Sequence, residues 1–366
     1  MQGGRIEAGA AHAASTVVEP LLAVSGLCVE FPTRHGTLRA VRQVSFEIGA
    51  GEILGVVGES GAGKSLTGSA VIGLIDAPGR ISSGEIRLAG RRIDDLPYEA
   101  MRAIRGREIG AIFQDPLTSL NPLYTIGAQL VETIATHLPL SPAQAKARAI
   151  ELLDEVGISA AARRFDHYPH QFSGGMRQRV VIALALAARP RLVIADEPTT
   201  ALDVSIQAQI IALLKRLCRD HGTAIMLVTH DMGVIAETAH RVAVMYAGRI
   251  VEIGPVRTIV AEPHHPYTIG LMDSIPKIGE RRGRLRQIEG AMPRLNQIPP
   301  GCPYNSRCPE AFDRCRRERP DLLPAPGSDA ACWLYDPKQS AERSLSAFQE
   351  GEEGAQRSGS GLRHAR

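Results

Sequence analysis

Short uninterrupted apolar runs mark the chain at Ile53-Leu54-Gly55-Val56-Val57, Leu192-Val193-Ile194-Ala195 and Ala224-Ile225-Met226-Leu227-Val228-Thr229. Runs of this length predict strands buried on both faces, as in a parallel sheet. Gly110-Ala111-Ile112-Phe113 adds another, ending on Gln114 and Asp115 before Pro116 stops it. Leu22 to Phe31 and Val41 to Ile48 are β-type runs around a polar loop at Thr33 to Thr37, which predicts an antiparallel sheet ahead of the first buried strand. Ser83 to Gly90 alternates between turns and reads as an edge hairpin strand. Arg241 to Glu252 reads as two strands around Ala247-Gly248.

Helical spacing lies between these strands. Leu66, Ala70 and Leu74 recur every four residues. From Asn121 to Phe172 the chain turns helical, with Ser141-Pro142-Ala143-Gln144 as a capping box and Gly157 as a stop. Ser173 caps a helix that runs to about Ala188. Strands alternating with helices predict an α/β fold with an inserted helical subdomain.

Chemistry gathers at the ends of the buried strands. Gly58-Glu59-Ser60-Gly61-Ala62-Gly63-Lys64-Ser65 fits the phosphate-loop pattern G-x-x-x-x-G-K-[S/T] at every required position. Its glycines let backbone N–H groups cradle an anionic phosphate chain, Lys64 would reach the β- and γ-phosphates, and Ser65 would offer its hydroxyl to Mg²⁺. Asp196 and Glu197 follow another strand directly, at the edge where open parallel sheets bind ligands. Asp196 is placed to hold Mg²⁺ through its water shell, and Glu197 to polarise an attacking water. His230 ends a third strand at that same edge, within plausible reach of a γ-phosphate. Phe31 offers either a face for an adenine ring or an ordinary core aromatic. Gln114 stands at the mouth of a strand, where a surface role is the bland alternative.

Composition narrows the class. A chain of 366 residues exceeds what a single core usually holds, and a net charge of +3 sets up no global field that demands nucleic acid. Val180 to Ala188 is the longest strongly apolar run, at nine residues, whereas a membrane span needs about twenty. The Ala- and Gly-rich segment 1–19 lacks a signal-peptide core and is expected to be disordered, as is the Ser-, Gly- and Glu-rich tail 336–366. Gly279 to Arg319 holds ten arginines against five acids. These could attract nucleic acid or anionic lipid, but a solvated face beside a membrane is the preferred expectation.

Taken together, Gly58 to Ser65, Gln114, Ser173-Gly174-Gly175, Asp196-Glu197, Ala201-Leu202-Asp203 and His230 resemble, in order and spacing, the Walker A, Q-loop, signature, Walker B, D-loop and H-loop of ATP-binding cassette (ABC) ATPases. The resemblance covers roughly residues 21–255. It implies a P-loop nucleotide-binding domain with a RecA-like core, an antiparallel β subdomain and a helical subdomain at about 115–172. It also implies head-to-tail dimerisation, with Ser173, Gly174 and Gly175 serving the partner's nucleotide, Asp203 of the D-loop as a further nucleotide-site residue, and Gln114 coupling Mg²⁺ and phosphate to a membrane subunit. The signature departs from the commonest form at Phe172 and Met176, which leaves the serine cap and glycines in place.

Gln114-Asp115-Pro116, Ser119-Leu120-Asn121-Pro122, Phe172 to Arg179 and His265-Pro266-Tyr267-Thr268 resemble more narrowly the oligopeptide and dipeptide importer ATPases, a branch that also serves nickel, glutathione and some sugars. On this resemblance the cassette spans 20–255 and a C-terminal region spans 256–335. The chain would work at the cytoplasmic face of the membrane with two permease subunits and a second, non-identical ATPase. An extracytoplasmic solute-binding protein would act indirectly, and nucleic acid is not expected. The rival is a soluble ABC ATPase acting on nucleic acid or ribosomes. A single cassette, the absence of a long coiled-coil insertion and the importer-like Q-loop oppose it.

Cys302, Cys308, Cys315 and Cys332 form C-x5-C-x6-C-x16-C, four of the six cysteines within 31 residues. Zinc sites usually contain shorter pairs, and a cytosolic chain should not rely on disulfides. The resembling importer subunits can carry a [4Fe–4S] cluster on such a quartet, which is the leading expectation, with zinc, free thiols and disulfides left open. Cys28 and Cys218 read as ordinary buried thiols.

Overall fold

The computed structural model describes residues 19–200, 202–275 and 287–338. The disorder expected of 1–19 and 336–366 falls on residues outside this range, apart from Glu19 and 336–338, as do Ala201 and the arginines at 281–286. The strands in chain order are β1 Leu22–Thr33, β2 Gly36–Ile48, β3 Ile53–Val57, β4 Arg80–Leu88, β5 Arg91–Arg92, β6 Ile109–Ile112, β7 Leu192–Asp196, β8 Ala224–Val228, β9 Arg241–Tyr246, β10 Arg249–Pro255, β11 Leu323–Ala325 and β12 Ser328–Ala330.

They form two sheets. An antiparallel sheet has the order β2-β1-β4-β5, and an eight-stranded sheet has the order β11-β12-β10-β9-β3-β8-β7-β6. β3 pairs in parallel with both β8 and β9, and β7 with β8 and β6. The uninterrupted apolar runs are explained by what lies on each face. In β3, Ile53 and Val57 join the core beneath the helices, while Leu54 and Val56 join the core shared with the antiparallel sheet. β7 and β8 divide in the same way, Val193 and Leu227 to one core, Ile194 and Met226 to the other. Strict alternation of side-chain direction, combined with an apolar partner on each side, leaves no position for a polar residue.

The helical insertion contains helices Ile126–His137 and Pro142–Glu155, whose buried faces pack with helix Gly174–Leu186. Ser141 and Gln144 form the expected reciprocal capping box, and Gly157 takes φ +79° just past the helix end.

Several details correct the sequence expectations. The helix after the phosphate loop is Lys64–Val71, so Leu74 lies beyond it and is 43% exposed. The polar loop at Thr33 to Thr37 is largely strand, because Thr33 pairs with Gly36 and leaves only a tight turn. β4 is not an edge: it lies between β1 and β5. Cys28 is only half-buried, whereas Cys218 is buried as expected. The C-terminal region also contributes strands to the main sheet, since β12 pairs antiparallel with β10 through Glu252–Ala330 and Ile253–Asp329.

Candidate nucleotide site

The phosphate loop joins β3 to helix Lys64–Val71, and its shape depends on two glycines. Gly58 has φ +149°, and a Cβ there would stand 2.2 Å from the Met245 carbonyl oxygen. Gly63 has φ +99° and lies against the Ala40 carbonyl. A side chain at Gly58 would collide with backbone, which cannot yield, and one at Gly63 would be crowded against the Ala40 carbonyl and strained by the positive φ.

Lys64 is buried and folds back over this loop, its Nζ donating to the carbonyls of Gly58 at 2.8 Å and Glu59 at 3.1 Å. Burial pulls its pKa down, while Glu197, Asp196 and Glu59 oppose that shift. Ser65 Oγ donates to Asp196 Oδ1 at 2.9 Å, so the second residue of the helix and the last residue of β7 meet across neighbouring elements. Burial raises the Asp196 carboxyl above its ordinary range, with the Ser65 hydrogen bond opposing.

Glu197 is one residue beyond, in the left-handed region at φ +47°. Its N–H donates to Val228 O at 2.8 Å, tying the turn after β7 to the end of β8. Three side chains converge on its carboxylate. Gln114 Nε2 donates to Oε2 at 3.1 Å, Thr200 Oγ1 donates to Oε2 at 2.8 Å, and His230 Nδ1 lies 3.1 Å from Oε1. Burial pushes the Glu197 carboxyl up, but the Thr200 and His230 hydrogen bonds and the charges of His230 and Lys64 more than offset this, leaving it below its ordinary value.

The structure thus brings Lys64, Ser65, Gln114, Asp196, Glu197 and His230 together. Thr200 is the member that the sequence did not give up. It follows Glu197-Pro198 in a turn where Thr200 N–H bonds Glu197 O at 3.2 Å, and an acid three residues before a threonine across a proline was the available signal.

Other candidates stand apart. Ser173 caps helix Gly174–Leu186 by accepting from Met176 N–H, and both Ser173 and Gly174 are exposed. Gly174 shares a cavity of about 370 Å³ with Gln114, Asp115, Thr200 and Leu202. Asp203 is exposed at the start of helix Val204–His221 and makes no side-chain cap. Phe31 pairs with Leu38 in the β1–β2 ladder and lies half-buried beside Gly79 at the margin of the core.

The four C-terminal cysteines, free and mostly buried, line one cavity with His265, Pro266, Tyr304, Phe312 and Trp333. Burial raises the thiols of Cys302 and Cys308 to about 11 and that of Cys332 to about 12, with the neighbouring cysteines adding to each shift. Among the described residues, no three His, Cys, Asp or Glu side chains form a group that could hold a metal ion. The arginine-rich stretch is not simply a solvated face. Arg307 turns inward to Glu59, and Arg314 bonds Asp336 and lies 3.6 Å over the Trp333 ring. No helix among the described residues is long and apolar enough to cross a membrane.

Comparison with known proteins agrees with this geometry. Residues 41–200 match the family described as ABC transporter, and residues 251–315 match the one described as oligopeptide/dipeptide transporter, C-terminal region. The chain is 47% identical over 313 residues to the dipeptide transport ATP-binding protein DppD of Escherichia coli, covering 85% of this chain and 96% of that one. It is 46% identical to the oligopeptide transport ATP-binding protein OppD of Salmonella typhimurium, covering 86% and 93%. Among solved structures it is similar to the ATP-binding cassette MJ0796 in a dimeric post-hydrolysis state bound to ADP and Pi. There the TM-score is 0.59 at 28% identity, over 64% of this chain and 99% of that one.

Proposed function

Because the chain belongs to the ABC transporter family, in its oligopeptide/dipeptide transporter branch, and is an ATPase, we propose that it powers an importer taking up dipeptides or oligopeptides. The observation that carries this is the Glu197 carboxylate, held by Gln114, Thr200 and His230 beside the Lys64 loop and the Ser65–Asp196 contact. Such a constellation places a carboxylate kept ionised at neutral pH where a water must be oriented against a bound phosphate chain.

In this function Lys64 neutralises the phosphates of ATP, and the N–H groups of Gly61, Ala62, Gly63, Lys64 and Ser65, with Glu59 and Ser60 shaping the loop, cradle them. Ser65, Asp196 and Gln114 offer hard oxygens that suit Mg²⁺, which when bound neutralises charge on the phosphate oxygens. Glu197 accepts the proton of the attacking water, and His230 stabilises the γ-phosphate. Phe31 supplies the adenine face. Ser173 and Gly174, exposed here, and the half-buried Gly175 close over the nucleotide of a second cassette, and Asp203 faces that same junction. The dimeric state of the similar MJ0796 cassette supports this.

The cassette spans 20–255, and the region 256–335 is built onto it through β12. Two permease subunits, a non-identical second ATPase and an extracytoplasmic solute-binding protein complete the transporter, with this chain at the cytoplasmic face of the membrane.

The four cysteines suit a [4Fe–4S] cluster, because their thiols, three buried and that of Cys308 half-buried, line one cavity. A cluster spreads its thiolates over four irons rather than gathering them on one, so it does not require the single-ion grouping that the described residues lack. Bound there, a cluster supplies a cross-link between segments up to 30 residues apart.

The test is an affinity pull-down of this chain from detergent-solubilised native membranes, followed by mass spectrometry and by uptake of radiolabelled dipeptides into proteoliposomes. Two multi-span subunits, a second ATPase and ATP-dependent peptide uptake are expected. Recovery with nucleic acid or ribosomal proteins from the soluble fraction alone would overturn the importer function.

A further inference from the structure

The phosphate loop is gripped from outside the cassette. Glu59, the second residue of that loop, has all three of its polar handles engaged. Its N–H donates to Tyr267 Oη at 2.9 Å, its carbonyl accepts from Lys64 Nζ at 3.1 Å, and its carboxylate receives Arg307 Nη1 at 3.1 and 3.2 Å. Two of these partners belong to the C-terminal region.

Arg307 is itself fixed. Its side chain is only 6% exposed, its Nε and Nη2 donate to the carbonyls of Glu289 and Gly290, and its Nη1 also reaches Tyr246 Oη at 3.3 Å. The guanidinium lies 5.8 Å from the Tyr246 ring centre and 5.9 Å from that of Tyr304. Tyr246, Tyr267 and Tyr304 pack on one another with ring centres 4.7 to 5.5 Å apart. Burial works against the Arg307 charge, but the bonds to Tyr246 and Glu59 more than offset it and keep the guanidinium firmly cationic. Met292 adds an apolar contact, its Cε lying against Gly61. Arg307 immediately precedes Cys308, and Tyr304 stands two residues after Cys302. The four-cysteine segment therefore reaches Lys64 through only two residues, Arg307 and Glu59.

We propose that Arg307 and Tyr267 are positioning residues for ATP binding: they hold Glu59, and through it Lys64, in the shape that receives phosphate, so the C-terminal module sets the cassette's nucleotide affinity. A loop held before ligand arrives does not have to be ordered on binding, and removing the grip transfers that ordering cost to the nucleotide. The effect belongs in affinity, because neither residue approaches Glu197 or the water it would orient. The inference rests on the phosphate loop being the ATP site.

The test uses the full-length chain assembled with its permease and ATPase partners, reading Kd for a fluorescent ATP analogue together with KM and kcat for ATP. Arg307→Gln and Glu59→Gln, each removing one end of the ion pair, should raise Kd and KM by about five- to thirty-fold, a normal range for coupled sites. At saturating ATP, kcat of Arg307→Gln should stay within about two-fold. The double variant should be no worse than the more affected single variant, because both remove the same contact. Arg307→Lys should recover only part of the loss, since an ammonium cannot replace the fork. Should Arg307→Gln fail to fold, Glu59→Gln tests the same pair from the cassette side with a nearly isosteric change. Unchanged affinity in Glu59→Gln, or effects that multiply in the double variant, would overturn the proposal. Lys64→Ala separates the two layers. If it abolishes binding while Glu59→Gln leaves affinity unchanged, only the positioning role fails; if Lys64→Ala binds normally, the ATP site itself is misplaced.

Discussion

His230 Nδ1 lies 3.1 Å from Glu197 Oε1, joining the ends of two neighbouring parallel strands across the sheet edge. The contact fixes the carboxylate's orientation and leaves its other oxygen to Gln114 and Thr200. Glu197→Gln keeps the shape and most of the hydrogen bonding but cannot accept a proton. ATP affinity should therefore persist while kcat falls by roughly 10²- to 10⁴-fold, the range for losing a general base. Phosphate release by the assembled transporter measures this, and turnover within ten-fold of the unaltered protein would remove Glu197 from the role of base.

Thr200 gives a pH signature. Its hydroxyl is one of the groups that hold the Glu197 pKa below its ordinary value against burial. Removing it with the near-isosteric Thr200→Val leaves burial less opposed, so the pKa rises. The carboxylate is then lost at a higher pH as acid is added. The acid limb of the kcat profile should move to higher pH, with the neutral plateau reduced less than in Glu197→Gln. A profile that loses height at every pH without shifting would mean that Thr200 acts on the fold of the turn and not on the carboxylate.

What the sequence showed and what it hid divide along a physical line. Ile53 to Val57, Leu192 to Asp196 and Ala224 to Val228 were legible because a strand buried on both faces must be apolar throughout, so a polar residue at its end stands out. The Ser141 capping box was legible because its partners are three residues apart. The Arg307–Glu59 pair spans 248 residues and leaves no periodic trace in either segment. β11 and β12 were equally hidden: strands of three residues are too short to establish alternation, and they exist because β10 presents an edge to β12, which in turn pairs with β11. Leu74 misled because four-residue spacing does not reveal where a helix stops, and this one stops three residues earlier.

Glu252 predicts how firmly the C-terminal region is attached. It lies in β10, fully buried, and its carboxylate accepts from the N–H groups of His264 and His265 at 2.8 and 2.9 Å and from Ser328 Oγ at 3.2 Å. An amide cannot accept through both ends, so Glu252→Gln turns an NH₂ toward an N–H donor and strands it. The cost should be about 1–3 kcal/mol, the penalty for a buried polar group left unmatched. Urea unfolding checks the magnitude. Hydrogen exchange should place the loosening at β12 and at the residues following His264, and uniform loosening throughout the cassette would contradict that location.

Metal removal tests the four-cysteine site. Burial puts the Cys302 and Cys308 thiols at about 11 and the Cys332 thiol at about 12, so without a cation they stay protonated at neutral pH. Four neutral thiols around one cavity gain little from being gathered there, whereas an iron cluster turns them into thiolate ligands and cross-links the segment. Full-length protein purified without oxygen should be brown and carry about four irons per chain. Cys315→Ser should lower the iron content, and chelation under reducing conditions should reduce Tm by at least a few degrees, since a group bound only by the native state stabilises it. Because Arg307 adjoins Cys308 and holds Glu59, the chelated protein should also bind ATP more weakly. Colourless protein with one zinc per chain would replace the cluster with a zinc site. Metal-free protein of unchanged Tm and ATP affinity would show that packing around Tyr246, Tyr267 and Tyr304 holds the module without any ion.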